Sequence, residues 1–261
     1  MQVELAYGRH GLTITVPDDA TVLRPRETPG LPNEAEAVRA ALRAPIASAP
    51  LRERVRPDDT VVIVFSDLTR PMPNGRVLPV LLEELSHVPR EQILLLNATG
   101  THRTQTHEEL VEMLGEEIVR NYRIEQHDAF AAANLVEIGV TSFGHRALVS
   151  RLYLAATVRI LTGFIEPHIF AGFSGGPKAV LPGVAGIETI MENHSYGMMR
   201  DPRATWGVTE GNPVWEEMRE VARMARPTFL LNVTINRYRQ ITGMFAGEME
   251  AAHAQGVAQA R

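Results

Sequence analysis

The sequence predicts an α/β chain: a Rossmann-like, mostly parallel sheet flanked by helices, with an added antiparallel β segment. Three observations carry this. Thr60-Val61-Val62-Ile63-Val64-Phe65 and Gln92-Ile93-Leu94-Leu95-Leu96-Asn97 are near-continuous apolar runs, the pattern of strands buried on both faces of a parallel sheet. Each is followed by helically spaced apolar residues, at 76–85 and 107–114. A third run, residues 158–162, delivers the chain to Glu166-Pro167-His168. All three runs end in polar residues, and ligands of doubly wound sheets collect at the carboxyl ends of strands.

Taken in order, residues 1–16 alternate weakly around Gly8-Arg9-His10-Gly11 and read as a hairpin. Residues 17–33 hold Pro17, Pro25, Pro29 and Pro32 and read as an extended connector. Helical spacing follows at 34–42, with a short helical turn at 50–55. Thr106 and Glu109 have the spacing of a capping box at the head of the 107–114 helix. Residues 135–154 read as antiparallel β structure turning at Gly139 and Gly144. An amphipathic helix is predicted at 213–225, strands at 228–235 and 240–245 with a turn between, and a helix over 247–261. That last helix shows no glycine or proline stop, so the chain is expected to be the front part of a longer protein.

Composition narrows the function. The chain has 261 residues, 44% hydrophobic, net charge −5 and no cysteine. A sizeable core is affordable at this length, and disulfides and thiolate metal sites are excluded. No apolar run approaches the roughly 20 residues of a spanning helix. No basic patch suggests nucleic acid. Met1-Gln2-Val3-Glu4-Leu5 lacks the basic head and apolar core of a secretory signal, so a cytoplasmic location is expected.

The chemistry concentrates at strand ends. Asp67 and Arg70 follow the first run, where they form either a local ion pair or, through arginine's planar fork, a carboxylate grip. Ser66 and Thr69 add hydroxyls there. His102 follows the second run and His168 the third. Each is suited to proton transfer near neutral pH, or simply to bonding loop backbone. Gly172-Phe173-Ser174-Gly175-Gly176-Pro177 leads to Lys178, the only lysine among 26 basic residues. It reads as a phosphate-binding lysine, a covalent amine or a surface lysine after a turn, and a single retained lysine argues for amine chemistry that arginine cannot perform. Ala179 follows it, so this is no Walker loop. His194 is either a metal ligand or a helix-end residue, and no second histidine stands at zinc-site spacing. His10, His87, His107, His127, His145 and His253 read as structural or surface residues, and Trp206 and Trp215 as packing.

In order and spacing, Ser66-Asp67-Leu68-Thr69-Arg70-Pro71, Gly100-Thr101-His102-Arg103, and the stretch from Glu166-Pro167-His168 through Gly172-Phe173-Ser174-Gly175-Gly176-Pro177-Lys178 to Asn193-His194 resemble the N-terminal domain of the nickel-pincer-nucleotide lactate racemase family. The resemblance covers nearly the whole chain. It implies that residues 1–261 form a cofactor-binding catalytic domain, with that family's C-terminal lid domain outside this chain. It further implies racemisation or epimerisation of a 2-hydroxy acid, lactate or a related one, by proton-coupled hydride transfer. The implied cofactor is a nickel-pincer nucleotide attached covalently through Lys178, with His194 completing the nickel coordination. His102 and His168 correspond to the acid–base pair and Arg70 to the substrate-carboxylate residue. Asp67, Thr69, Ser174, Gly175 and Gly176 correspond to supporting, cofactor-binding positions. The implied partners are a small 2-hydroxy acid and cofactor-maturation proteins. Soft sulfur donors from such a cofactor suit nickel and remove any need for protein cysteines. Two readings stand beside it: a noncatalytic domain gripping an organic acid or nucleotide phosphate, and a zinc hydrolase using His102, His168 and His194.

Overall fold

Alternation within single strands divides the core into two layers. The computed structural model describes residues 1–8, 10–24 and 27–261. After the hairpin β1 (Gln2–Leu5) and β2 (Leu12–Thr15) come α1 (Glu34–Arg43) and α2 (Leu51–Arg54). The first half of the main sheet follows: β3 (Val61–Ser66), α3 (Asn74–Glu84), β4 (Ile93–Ala98), α4 (His107–Leu114), α5 (Glu116–Asn121) and β5 (Arg123–Gln126). In β3, Val62 and Val64 enter one apolar cluster. Val61, Ile63 and Phe65 enter the other, with Val38 and Leu42 of α1 and Val77, Leu78 and Leu81 of α3. Successive side chains of a strand point to opposite faces, so a run with no polar member is what a sheet covered on both sides requires.

The second half is β6 (Leu135–Val140), β7 (Arg146–Ser150), α6 (Arg151–Ala155), β8 (Val158–Phe164), the two-residue strands β9 (Pro167–His168) and β10 (Gly172–Phe173), α7 (Ile187–Asn193), α8 (Tyr196–Met199), α9 (Pro213–Ala225), β11 (Phe229–Ile235), β12 (Ile241–Gly247) and α10 (Met249–Ala260). The main sheet has six strands in the order β12-β11-β8-β3-β4-β5. All neighbours are parallel except β11 and β12. The chain winds outward from β3 to β5, then returns to the other side of β3 as β8. The switch point therefore lies between the carboxyl ends of β3 and β8, where a crevice opens. Helices α9 and α10 close the second layer with Val214, Trp215, Met218, Val221, Ala252 and Val257.

The expected α/β class and mostly parallel sheet are both found, with β6 and β7 as the added antiparallel pair. The capping box at Thr106 and Glu109 forms. The N-terminal hairpin pairs Gln2 with Thr15 through Leu5 with Leu12. Arg9 of its turn, and Pro25 of the connector, lie outside the described residues. Two expectations are corrected. Residues 151–155 are helical rather than β, because Ser150 hydrogen-bonds to Val184 and the chain turns there to enter β8. Trp206 is 59% exposed and does not pack, while Trp215 is 6% exposed and does. No helix among the described residues is long and apolar enough to cross a membrane.

Candidate active site

Three strand ends converge on one cavity of about 370 Å³ at the switch point. Asp67 and Arg70 enter it from the end of β3, His102 from β4, and Glu166 and His168 from β8. Lys178 and His194 complete the wall, with Ser174 and Gly175. Of the residues the sequence singled out, only Thr69 and Gly176 stay off this surface. Thr69 donates its hydroxyl to Asp67 Oδ1 at 2.6 Å. Gly176 faces the opposite side of its loop, towards His253.

The two candidate proton-transfer histidines are held in opposite ways. Asp67 is buried, and its Oδ2 accepts from His102 Nδ1 at 3.0 Å. Its other oxygen accepts from the Thr69 backbone N–H at 2.7 Å. With Nδ1 donating to a carboxylate, the neutral His102 ring keeps a lone pair on Nε2. In His168, Nδ1 instead accepts from the backbone N–H groups of Phe170, at 3.3 Å, and Ala171, at 3.2 Å. The neutral ring must then carry its proton on Nε2. One imidazole is thus set to receive a proton through Nε2, and the other to donate a hydrogen bond through the same atom. Burial, reinforced by the positive neighbours Lys178, Arg70 and His194, pushes His168 down to about 3, so it is neutral at physiological pH.

Lys178 lies in a short 3₁₀ turn, Gly176–Ala179, entered from a glycine with φ of +75°. Burial first, and then the Arg70 charge, push its amine down to about 7. Near neutral pH a large share of it is therefore uncharged and nucleophilic. His194 caps the carboxyl end of α7. Its Nδ1 lies 3.1 Å from the Ile190 carbonyl oxygen, which leaves the Nε2 lone pair free. Burial, and next the Lys178 charge, push His194 down, against the pull of the Ile190 carbonyl and Glu217. Among the described residues no three His, Asp or Glu side chains group closely enough to hold an ion. A metal at His194 therefore needs donors from a bound group, and a self-contained zinc centre lacks its ligand set. A uncharged amine, one imidazole with a free lone pair and no competing ligand cluster fit a lysine-tethered cofactor that brings its own donors. Desolvation raises Glu166 on the rim, opposed by Arg70.

The glycine-rich stretch is fixed from behind. The Ser174 hydroxyl donates to the Phe164 carbonyl and accepts from the Glu166 N–H, both at 2.9 Å. The Gly176 N–H donates to Asn232 Oδ1 at 2.7 Å. Asn232 and His253 were not legible as site residues, since one sits inside an apolar strand run and the other in an alanine-rich helix.

Comparison with known proteins places this geometry. Residues 7–207 match the family model described as the lactate racemase N-terminal domain. The lactate racemase of Lactiplantibacillus plantarum is 43% identical over 225 residues, 86% of this chain and 53% of that protein. That of Thermoanaerobacterium thermosaccharolyticum is 36% identical over 259 residues, 97% of this chain and 61% of that protein. The solved lactate racemase apoprotein from T. thermosaccharolyticum superimposes with a TM-score of 0.87 at 34% identity, over 99% of this chain and 62% of that one. A Thermotoga maritima protein shares the fold, with a TM-score of 0.73 at 23% identity over 87% of this chain and 58% of that one. The chain thus spans between half and two thirds of the length of these relatives. With its match across residues 7–207 and two curated relatives above 30% identity, the chain belongs to the lactate racemase N-terminal domain family.

Proposed function

We propose that residues 1–261 form the cofactor-holding, catalytic domain of an isomerase that interconverts the enantiomers of a small 2-hydroxy acid, lactate or a close relative. The observation that carries this reading is the convergence of the sole lysine, with its lowered basicity, and two oppositely oriented histidines on one cavity at the switch point. Lys178 would anchor a nickel-pincer nucleotide and His194 would ligate its metal through Nε2. When bound, that group supplies reversible hydride exchange at C2 of the substrate. Arg70, on the cavity wall, holds the substrate carboxylate through its guanidinium fork. His102, backed by the Asp67 carboxylate, takes the hydroxyl proton on Nε2, and Asp67 stabilises the imidazolium that forms. His168 donates a hydrogen bond from Nε2 to the same oxygen. For His168 to act as a base its Nδ1 must release the Phe170 and Ala171 N–H groups, so proton transfer in the reverse sense needs a local shift of residues 168–171. The site's other proposed partners are the proteins that build and attach the cofactor, in a cytoplasmic setting.

The test is an isotope comparison on protein produced with nickel and the cofactor-building proteins. D- and L-lactate should interconvert, and lactate deuterated at C2 should do so more slowly. No interconversion of lactate or of related 2-hydroxy acids, or equal rates for both isotopologues across pH, contradicts the reading.

A further inference from the structure

The loop that presents Lys178 is gripped by side chains that do not line the cavity, all beyond the residues matched by the family model, which end at 207. His253 on α10 is 3% exposed, and its Nε2 donates to the Ser174 carbonyl oxygen at 2.9 Å. Its ring stacks on Trp215 of α9, with centroids 4.7 Å apart and planes at 27°. The same ring lies against Gly176, where a Cβ would come within 2.7 Å of Cδ2. Asn232 on β11 is fully buried and accepts the Gly176 N–H at 2.7 Å. A Cβ on Gly175 would stand 2.5 Å from the same Asn232 oxygen. Both glycines have positive φ, +75° and +54°. The pair is therefore demanded twice, by backbone conformation and by the two side chains pressed against it. Two residues on, the Lys178 N–H closes the turn onto the Gly175 carbonyl at 3.1 Å.

We propose that His253 and Asn232 are positioning residues for the reaction: they clamp the Ser174–Gly176 turn from behind and so fix where the Lys178 amine stands in the cavity. A buried polar side chain inside an apolar strand, and a buried histidine inside an alanine-rich helix, are costly unless hydrogen-bonded. Here each makes a hydrogen bond with a backbone group of one three-residue turn. Trp215 supports the clamp by stacking and by holding α9 against α10. The assignment rests on Lys178 as the cofactor anchor for its functional meaning. The geometry it asserts can be tested without any cofactor.

Because the chain has one lysine, acylation of Lys178 can be followed site-specifically by peptide mass across pH in the cofactor-free protein. His253→Gln keeps a donor near the Ser174 carbonyl, whereas His253→Met, of similar length, has none. The wild type and His253→Gln should label half-maximally near pH 7. His253→Met should label with a midpoint raised by one pH unit or more, so at least about fivefold less at pH 7. A folded His253→Met protein with the wild-type profile, or Gln and Met variants equally displaced, overturns the proposal. Hydrogen exchange on the unaltered chain tests the other half. The Gly176 amide should exchange as slowly as the β11 amides, and rapid exchange there overturns the clamp even if His253→Met does not fold. Failure of the chain to acquire a cofactor would sink the proposed function and leave both of these outcomes unchanged.

Discussion

Replacing Lys178 with methionine should stabilise the protein, and by an amount that depends steeply on pH. Methionine matches lysine in length and carries no charge. The Lys178 amine titrates near 7 in the fold, against 10.5 for the ordinary group, chiefly because the site desolvates it. Between those pH values the unfolded chain holds a proton that the folded chain has released, so wild-type stability rises with pH through this window. Below pH 7 the full cost of the buried ammonium is felt. At about 1.4 kcal/mol per pH unit it amounts to at most about 5 kcal/mol, a large fraction of the stability of an ordinary domain. By pH 10 only about 0.7 kcal/mol of it remains. Urea denaturation of both proteins at pH 6, 8 and 10 reads the effect, since the other titrating groups are common to the pair and the two that feel Lys178, His168 and His194, are held below their ordinary values by burial first. The advantage of Lys178→Met should shrink by up to about 4 kcal/mol from pH 6 to pH 10. A difference that stays flat within about 0.5 kcal/mol would show that Lys178 is an ordinary solvated lysine, and the argument for a poised amine would fail.

Three other outcomes follow from the same geometry. Asp67→Asn removes the carboxylate that holds His102 Nδ1–H, so the ring should switch tautomer, seen by ¹⁵N NMR of the imidazole. Proton transfer should fall about 10–100-fold with the loss of a charge-assisted hydrogen bond worth about 1.5–3 kcal/mol, and an unchanged tautomer would contradict the assignment. Gly176→Ala places a Cβ against the His253 ring at positive φ and should cost about 2–4 kcal/mol in denaturant unfolding; a neutral substitution would mean the loop is not gripped there. Burial pushes His253 down to about 4 and His168 to about 3. The stability they leave intact above pH 6.5 is therefore lost as pH falls through those values. His253→Gln should flatten the acid limb of the stability curve between pH 6.5 and 4, and an identical limb would count against a buried neutral His253.

The strands that position the site announce themselves, because a strand covered on both faces has no room for polar alternation. That is why β3, β4 and β8 are legible, and with them the polar residues at their ends. The edge strand β5, Arg-Ile-Glu-Gln, carries no such signal, since its residues are exposed or only partly buried. The short helix α7 hides behind Gly186, which caps it without a side-chain signal. His194 turned out to be a helix end as well as a cavity residue, so its two sequence readings were never exclusive. What spacing cannot reveal is which side chain meets which. The Asp67–His102 pair spans 35 residues, Asn232–Gly176 56 and His253–Ser174 79. The opposite orientations of His102 and His168 are likewise set by tertiary partners, a carboxylate for one and two backbone amides for the other.

The central claim is that Lys178 is a covalent anchor and not merely a charge. Intact mass of the chain, produced with nickel and the proteins that build the cofactor, tests it most directly. The account predicts an added mass that peptide mapping assigns to Lys178 and that is absent from Lys178→Arg. An unmodified chain under those conditions, or an adduct that persists in Lys178→Arg, contradicts it.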